Sequence, residues 1–175
     1  MEEAGSVGIM PRFIQAMQNN FTKGIKAIEF LIKDGRLVIK FVEEDGIYEL
    51  PVGLGEYEEA KLNIRGEVYL VKSAAVFSKN EDDIPTLKVR FAFPELASSR
   101  FIRFYFKEDG LLSKWSEDPG IDFIINMVEG NADVFGNKNL MELVTGKVDM
   151  HYVRHLLKYS FEPELVGNLR DKKPL

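Results

Sequence analysis

Apolar residues recur at every second position from Ile25 onward. Ile28, Phe30 and Ile32 share one face of a first run, and Leu37, Ile39 and Phe41 share one face of a second. A period of two is the spacing of half-buried strands. Lys33-Asp34-Gly35-Arg36 separates the two runs, and Asp-Gly accepts the positive φ angles of a tight hairpin turn. Asp45-Gly46 turns the chain again into Ile47–Leu50, and Asp109-Gly110 separates Phe101–Lys107 from Leu111–Trp115. Glu67–Phe77 and Thr86–Phe93 carry strand character as well. The pattern predicts an α+β chain, mainly antiparallel β, with about eight strands in a meander barrel or curled sheet. Strand–helix–strand alternation is absent, which argues against a parallel doubly wound sheet.

The two ends follow a different period. Residues 1–10 read as a frayed leader. Pro11 suits a first helical turn, and Phe13, Ala16, Met17 and Phe21 then predict about three turns of amphipathic helix, closed by Asn19-Asn20 and Gly24. After Pro119-Gly120, Ile121–Glu129 fits a short helix or a last strand. Asn139–Thr145 and Asp149–Tyr159 read as helices, with Asp149 as N-cap and Met150, Val153 and Leu157 as the apolar stripe. Gly167–Lys173 reads as a polar tail. The expected organisation is a leader and N-terminal helix over 1–24, an antiparallel β domain over 25–130 and a helical extension over 131–175.

Composition narrows the chemistry. At 175 residues, 45% hydrophobic and 29% charged, the chain has the makeup of a soluble globular domain. Its thirteen Phe favour half-buried strands. With no Cys there is no disulfide, thiolate nucleophile or thiolate metal site. The net charge of −5 argues against nucleic acid and anionic membrane partners. No apolar run reaches the length of a membrane-spanning helix. The acidic start Met1-Glu2-Glu3-Ala4-Gly5 lacks the apolar core of a signal peptide, so the chain as given reads as cytoplasmic.

Each candidate for chemistry has a plainer competitor. Gly53-Leu54-Gly55 has the look of a phosphate loop, but Glu56, Glu58 and Glu59 follow it and would repel a phosphate, so a turn is expected. His151 and His155 stand four apart, which on a helix presents both imidazoles on one face, as a zinc site needs. Tyr152 occupies the place of the zinc-protease Glu, and Arg154 and Lys158 would oppose a cation, so two ordinary histidines are the expected reading. Arg100–Lys107 interleaves bases and aromatics. Phe101, Arg103, Tyr105 and Lys107 share a strand face that a single-stranded nucleic acid could stack on, whereas Ile102, Phe104 and Phe106 would face a core. The acidic chain favours the second reading. Trp115, the sole Trp, is the candidate for a pocket mouth against core packing. Acid groups such as Glu43-Glu44-Asp45 and Glu81-Asp82-Asp83 read as solvated turns. No Gly-x-Ser-x-Gly elbow and no Ser-x-x-Lys pair is present. No cofactor site is expected.

Several segments together resemble one family. Leu50-Pro51-Val52-Gly53-Leu54-Gly55 is similar to a Leu-Pro-Phe-Gly-Leu-Gly segment in the C-terminal β-rich, lipocalin-like domain of bacterial serine hydrolases related to class C β-lactamases and penicillin-binding proteins. Asn20–Ile25 resembles the entry to its first strand, and Lys72–Phe77 resembles its Ala-Ser-Ala-Ala-Trp segment, with Phe77 where Trp is expected. Thr86–Phe93, Arg100–Lys107 and Glu108-Asp109-Gly110 resemble the closing hairpins. The resemblance covers roughly residues 20 to 130. The family's catalytic elements, Ser-x-x-Lys, Tyr-x-Asn and Lys-Thr-Gly, are missing here, and Thr145-Gly146-Lys147 has the last triplet out of order. No catalytic residue is carried over. The resemblance implies a non-enzymatic accessory domain that packs on a catalytic hydrolase domain or self-associates, through an apolar patch including Phe13, Met17 and Trp115. The alternatives are a carrier of a small apolar ligand inside the barrel and a metal-dependent enzyme using His151 and His155.

Overall fold

The computed structural model describes residues 7–18, 21–130 and 150–168. Nine strands form one sheet: β1 (Ile25–Lys33), β2 (Arg36–Glu43), β3 (Ile47–Leu54), β4 (Glu58–Ile64), β5 (Glu67–Lys79), β6 (Pro85–Phe93), β7 (Ser98–Lys107), β8 (Gly110–Asp118) and β9 (Glu164–Gly167). Among the described residues, three α-helices accompany them: α1 (Arg12–Met17), α2 (Ile121–Gly130) and α3 (Met150–Phe161). The three Asp-Gly turns fall where the alternation put them, between β1 and β2, β2 and β3, and β7 and β8. The expected N-cap Asp149 and the expected helix Asn139–Thr145 lie outside the described residues. The segment Ile121–Glu129, open between helix and strand, is helical.

The sheet path runs β1-β2-β3-β5-β6-β7-β8-β9, with β4 paired to β5 off that path. The ladders are antiparallel except at one place. Gly53 and Leu54 of β3 lie parallel to Ala74 and Ala75 of β5. β5 is thirteen residues long. Its first half pairs with β4 from Glu67 to Ser73, and the residues that follow meet β3. The chain leaves β3, reverses and returns as β4 along the same edge of β5, which interrupts the expected meander. β4 and β9 are additions to the sequence reading, which had Gly167 in a polar tail.

The sheet curls into a nearly closed barrel around one core. Phe41, Leu50, Val71, Phe91, Ile102 and Phe104 project inward from five strands and are fully buried. Phe30 of β1 meets the rings of Phe104 and Phe106 on β7 at 5.0 and 5.4 Å, so β1 and β7 approach each other across the interior. Phe41 packs edge-on against Phe91 and Trp115. Such aromatic pairs contribute about 0.5–1.5 kcal/mol each beyond area burial.

The leader expectation is corrected over residues 7–10. Val7, Ile9 and Met10 are core residues that fill one end of the barrel. The expected stripe on α1 is corrected too. The helix has six residues rather than three turns, and it buries Ile14 and Gln15. Met17 is 62% exposed and Ala16 is exposed, while Phe13 stays half-buried with its ring 6.4 Å from Phe123. The cause is a set of polar anchors that sequence periodicity does not report. Glu117 accepts from the backbone N–H groups of Arg12 and Phe13 at 2.6 and 2.8 Å, which sets the rotation of the helix. Gln15 donates to the Met10 carbonyl and accepts from Thr22 N–H, closing the loop around α1.

Candidate functional site

Two regions depart from an ordinary strand pattern, one inside the barrel and one on its outer face. Inside, alternation along β7 places Arg100 on the same face as Ile102 and Phe104, and Arg100 is fully buried. Glu117 stands directly opposite it on β8. The two form an ion pair, the Arg100 guanidinium lies 5.2 Å from the Trp115 ring, and it also donates to the Gly8 carbonyl at 3.3 Å. Burial pulls the Arg100 guanidinium down from its ordinary value and pushes the Glu117 carboxyl up, and the mutual attraction opposes both. Glu43, expected as a solvated turn acid, is likewise buried. It accepts from Ile9 N–H at 2.8 Å and from the Thr22 hydroxyl, and burial raises its pKa. These groups hold residues 7–18 and Thr22 at the barrel end. They have the partners of a structural clasp, and they fix β7 and β8 from beneath.

On the outer face, a groove of about 540 Å³ crosses β5, β6, β7 and β8. Small residues in its lining, Gly55, Ala74 and Ser116, leave depth between larger neighbours. Ala75, Val89 and Ile102 turn their side chains to the core, so they reach the groove through backbone. Cross-strand register builds the lining. One row reads Ala74, Arg90, Phe101, Ser116, and the next reads Val76, Lys88, Arg103, Lys114. Arg90 is held in place by Ser99 Oγ at 3.1 Å and the Tyr57 hydroxyl at 3.3 Å, with its guanidinium 5.4 Å from the Phe101 ring. Sequence reasoning placed Phe101, Arg103 and Tyr105 on one strand face but did not add the neighbouring strands, which supply most of the cations.

Gly53-Leu54-Gly55 is the point where the chain switches from β3 to β4, as the turn reading expected. A Cβ on Gly53 would collide with the Glu56 carbonyl oxygen, and Gly55 has a φ of 87°. Gly55 N–H donates to the Ala75 carbonyl at 3.1 Å. Trp115 is 2% exposed, its indole N–H donating to Ser113 Oγ at 2.8 Å, so it is a core residue and no part of an exposed patch with Met17. The His151 side chain lies outside the described residues. His155 is exposed on α3, with its ring edge-on to Tyr159 at 4.7 Å. Among the described residues no group of three or more His, Cys, Asp or Glu is arranged to hold a metal. Among them, too, no helix is long and apolar enough to cross a membrane. A second cavity, at the barrel end beside Glu43 and Thr22, measures about 10 Å³, room for about one water at most.

Comparison with known proteins found no matching family model, no matching curated protein and no matching solved structure.

Proposed function

We propose that the chain is a non-catalytic interaction domain that works through the outer face of β5–β8. One observation carries this reading. The inward side chains pack into one cluster, while a cavity of about 540 Å³ lies on the outer face, among exposed apolar and cationic side chains. Val76 is more than half exposed within it, and Ala74 and Phe101 add half-buried apolar surface; grouped apolar exposure of this kind marks interaction surfaces. A lipocalin-like carrier would need interior space, and the packed Phe41, Phe91 and Trp115 rings occupy the middle of the barrel.

The finer reading names the partner as the catalytic domain of a β-lactamase-related serine hydrolase. Its support is the convergence of two segments that resemble that family's accessory domain. Leu50–Gly55 and Lys72–Phe77 pair with each other through Gly53 and Ala74, and together they form one wall of the groove. The test is a calorimetric titration of such a catalytic domain, freed of its own C-terminal barrel, with this chain. Saturable binding is expected, and it is expected to vanish for Ala74→Trp, which fills the groove while keeping the core. Binding that ignores Ala74→Trp, or no binding, would sink this partner assignment.

A further inference from the structure

We propose that the outer groove holds a small organic anion: an acidic head such as a phosphate, sulfonate or carboxylate on a flat apolar body. The inference deepens the interaction-face reading and rests on it. Its starting point is a local conflict in the sheet. Lys88 of β6 stands directly opposite Arg103 of β7, which stands directly opposite Lys114 of β8. Like charges paired across strands destabilise a sheet. Only one of the three is compensated among the described residues, by the ion pair of Lys114 with Glu164 at 2.8 Å. Elsewhere on this acidic chain, strand cations commonly have a carboxylate at hand, as Lys33 has Glu49 and Lys72 has Glu59. A row of uncompensated cations beside a cavity is the kind of local rule-breaking found at binding sites.

The groove next to that row supplies the rest. Phe101 stands in the adjacent cross-strand row, and the Arg90 guanidinium, oriented by Ser99 and Tyr57, already lies over one face of its ring. Ala74 leaves the depth. A volume of about 540 Å³ is the size of a small-molecule site, one with an apolar floor and a few placed polar groups. An acidic head between Lys88 and Arg103 removes their repulsion, and a flat body on Phe101 and Ala74 excludes water from that contact. The mean charge of the protein works against extended polyanions, which would meet its net −5 beyond the groove, so a compact anion fits better than a nucleic acid strand.

The test uses anilinonaphthalene sulfonate as the acidic probe and N-phenylnaphthylamine as its uncharged counterpart, both titrated by fluorescence against the folded chain. One saturable site for the sulfonate is expected, with the neutral dye weaker by about tenfold or more, a difference of about 1.4 kcal/mol. Lys88→Gln with Arg103→Gln is expected to remove that preference and to leave the circular dichroism unchanged, since both side chains are exposed. Salt is expected to weaken the sulfonate and not the neutral dye. Equal affinity for the two dyes, a preference that survives the double variant, or an oligonucleotide that displaces the sulfonate at equal phosphate concentration would each overturn the proposal. So would the absence of saturable sulfonate binding. None of those results touches the partner titration through Ala74→Trp, so the two readings fail separately.

Discussion

At the scale of single residues, the buried charges decide most. Arg100 and Glu117 are both inside the barrel and paired. Removing one partner leaves the other charged in a low-dielectric site, which costs about 3–5 kcal/mol, whereas replacing both by apolar residues of similar size costs far less. Glu117→Gln is therefore expected to lower the urea midpoint sharply, and Arg100→Met with Glu117→Gln, which removes both charges and keeps an acceptor for the Arg12 and Phe13 N–H groups, to recover part of the loss. A double variant no better than the single one would contradict this account. Glu43 gives a prediction in pH. Its pKa is raised, by burial first, so its stabilising contribution is full below the ordinary value of 4.5 and is lost as pH rises through the raised one. The stability difference between the parent protein and Glu43→Gln should shrink in the parent's disfavour as pH climbs from there toward neutrality. Urea titrations at a series of pH values check the sign. Much of this was within reach of the sequence. Alternation puts Arg100 in register with Ile102 and Phe104, and the Asp109-Gly110 turn sets it opposite Glu117. The sequence reading put Ile102, Phe104 and Phe106 toward a core but did not extend that face back to Arg100.

At the scale of elements, the hairpins declared themselves and the long-range pieces did not. An Asp-Gly turn between alternating runs is local information, so β1, β2, β7 and β8 follow from a few neighbouring residues. Residues 7–10 carry no period, and their burial depends on partners far along the chain: Glu117 lies 105 positions beyond Arg12. β4 does alternate, with Ala60, Leu62 and Ile64 inward, but Glu58-Glu59 masked its start. β9 is four residues long and exists through its pairing with β8. The outer groove was out of reach for the same reason, since it joins side chains from strands whose register only the folded sheet sets. The N-terminal segment gives the prediction at this scale. A Cβ on Gly8 would meet Thr22 Cγ2 at 2.5 Å and Glu43 Oε1 at 3.1 Å. Gly8→Val is expected to lower stability by about 1–3 kcal/mol through overpacking, read as a fall in the thermal midpoint. An unchanged midpoint would mean the barrel end can yield.

At the scale of the whole molecule, β8 ties together elements from both ends of the chain. Glu117 holds the start of α1, Leu111–Lys114 pair with β9, and Trp115 N–H donates to the Pro163 carbonyl at 3.0 Å. With its indole in the core beside Phe41 and Arg100, Trp115 reports on that junction. Trp115 emission and far-ultraviolet dichroism are therefore expected to change together in urea, as one cooperative transition. Separate transitions would show that the barrel and its end segment come apart independently.

The clasp at the barrel end also sets an order on biosynthesis. A ribosome releases Ile9 and Met10 well before Arg100, the donor to Gly8, which lies 92 positions beyond Gly8. Through most of translation these apolar residues have no seat, because the strands that form it are still unmade. The nascent barrel stays open at that end until β8 has left the exit tunnel. During that interval a chaperone would find its natural handhold in these apolar residues.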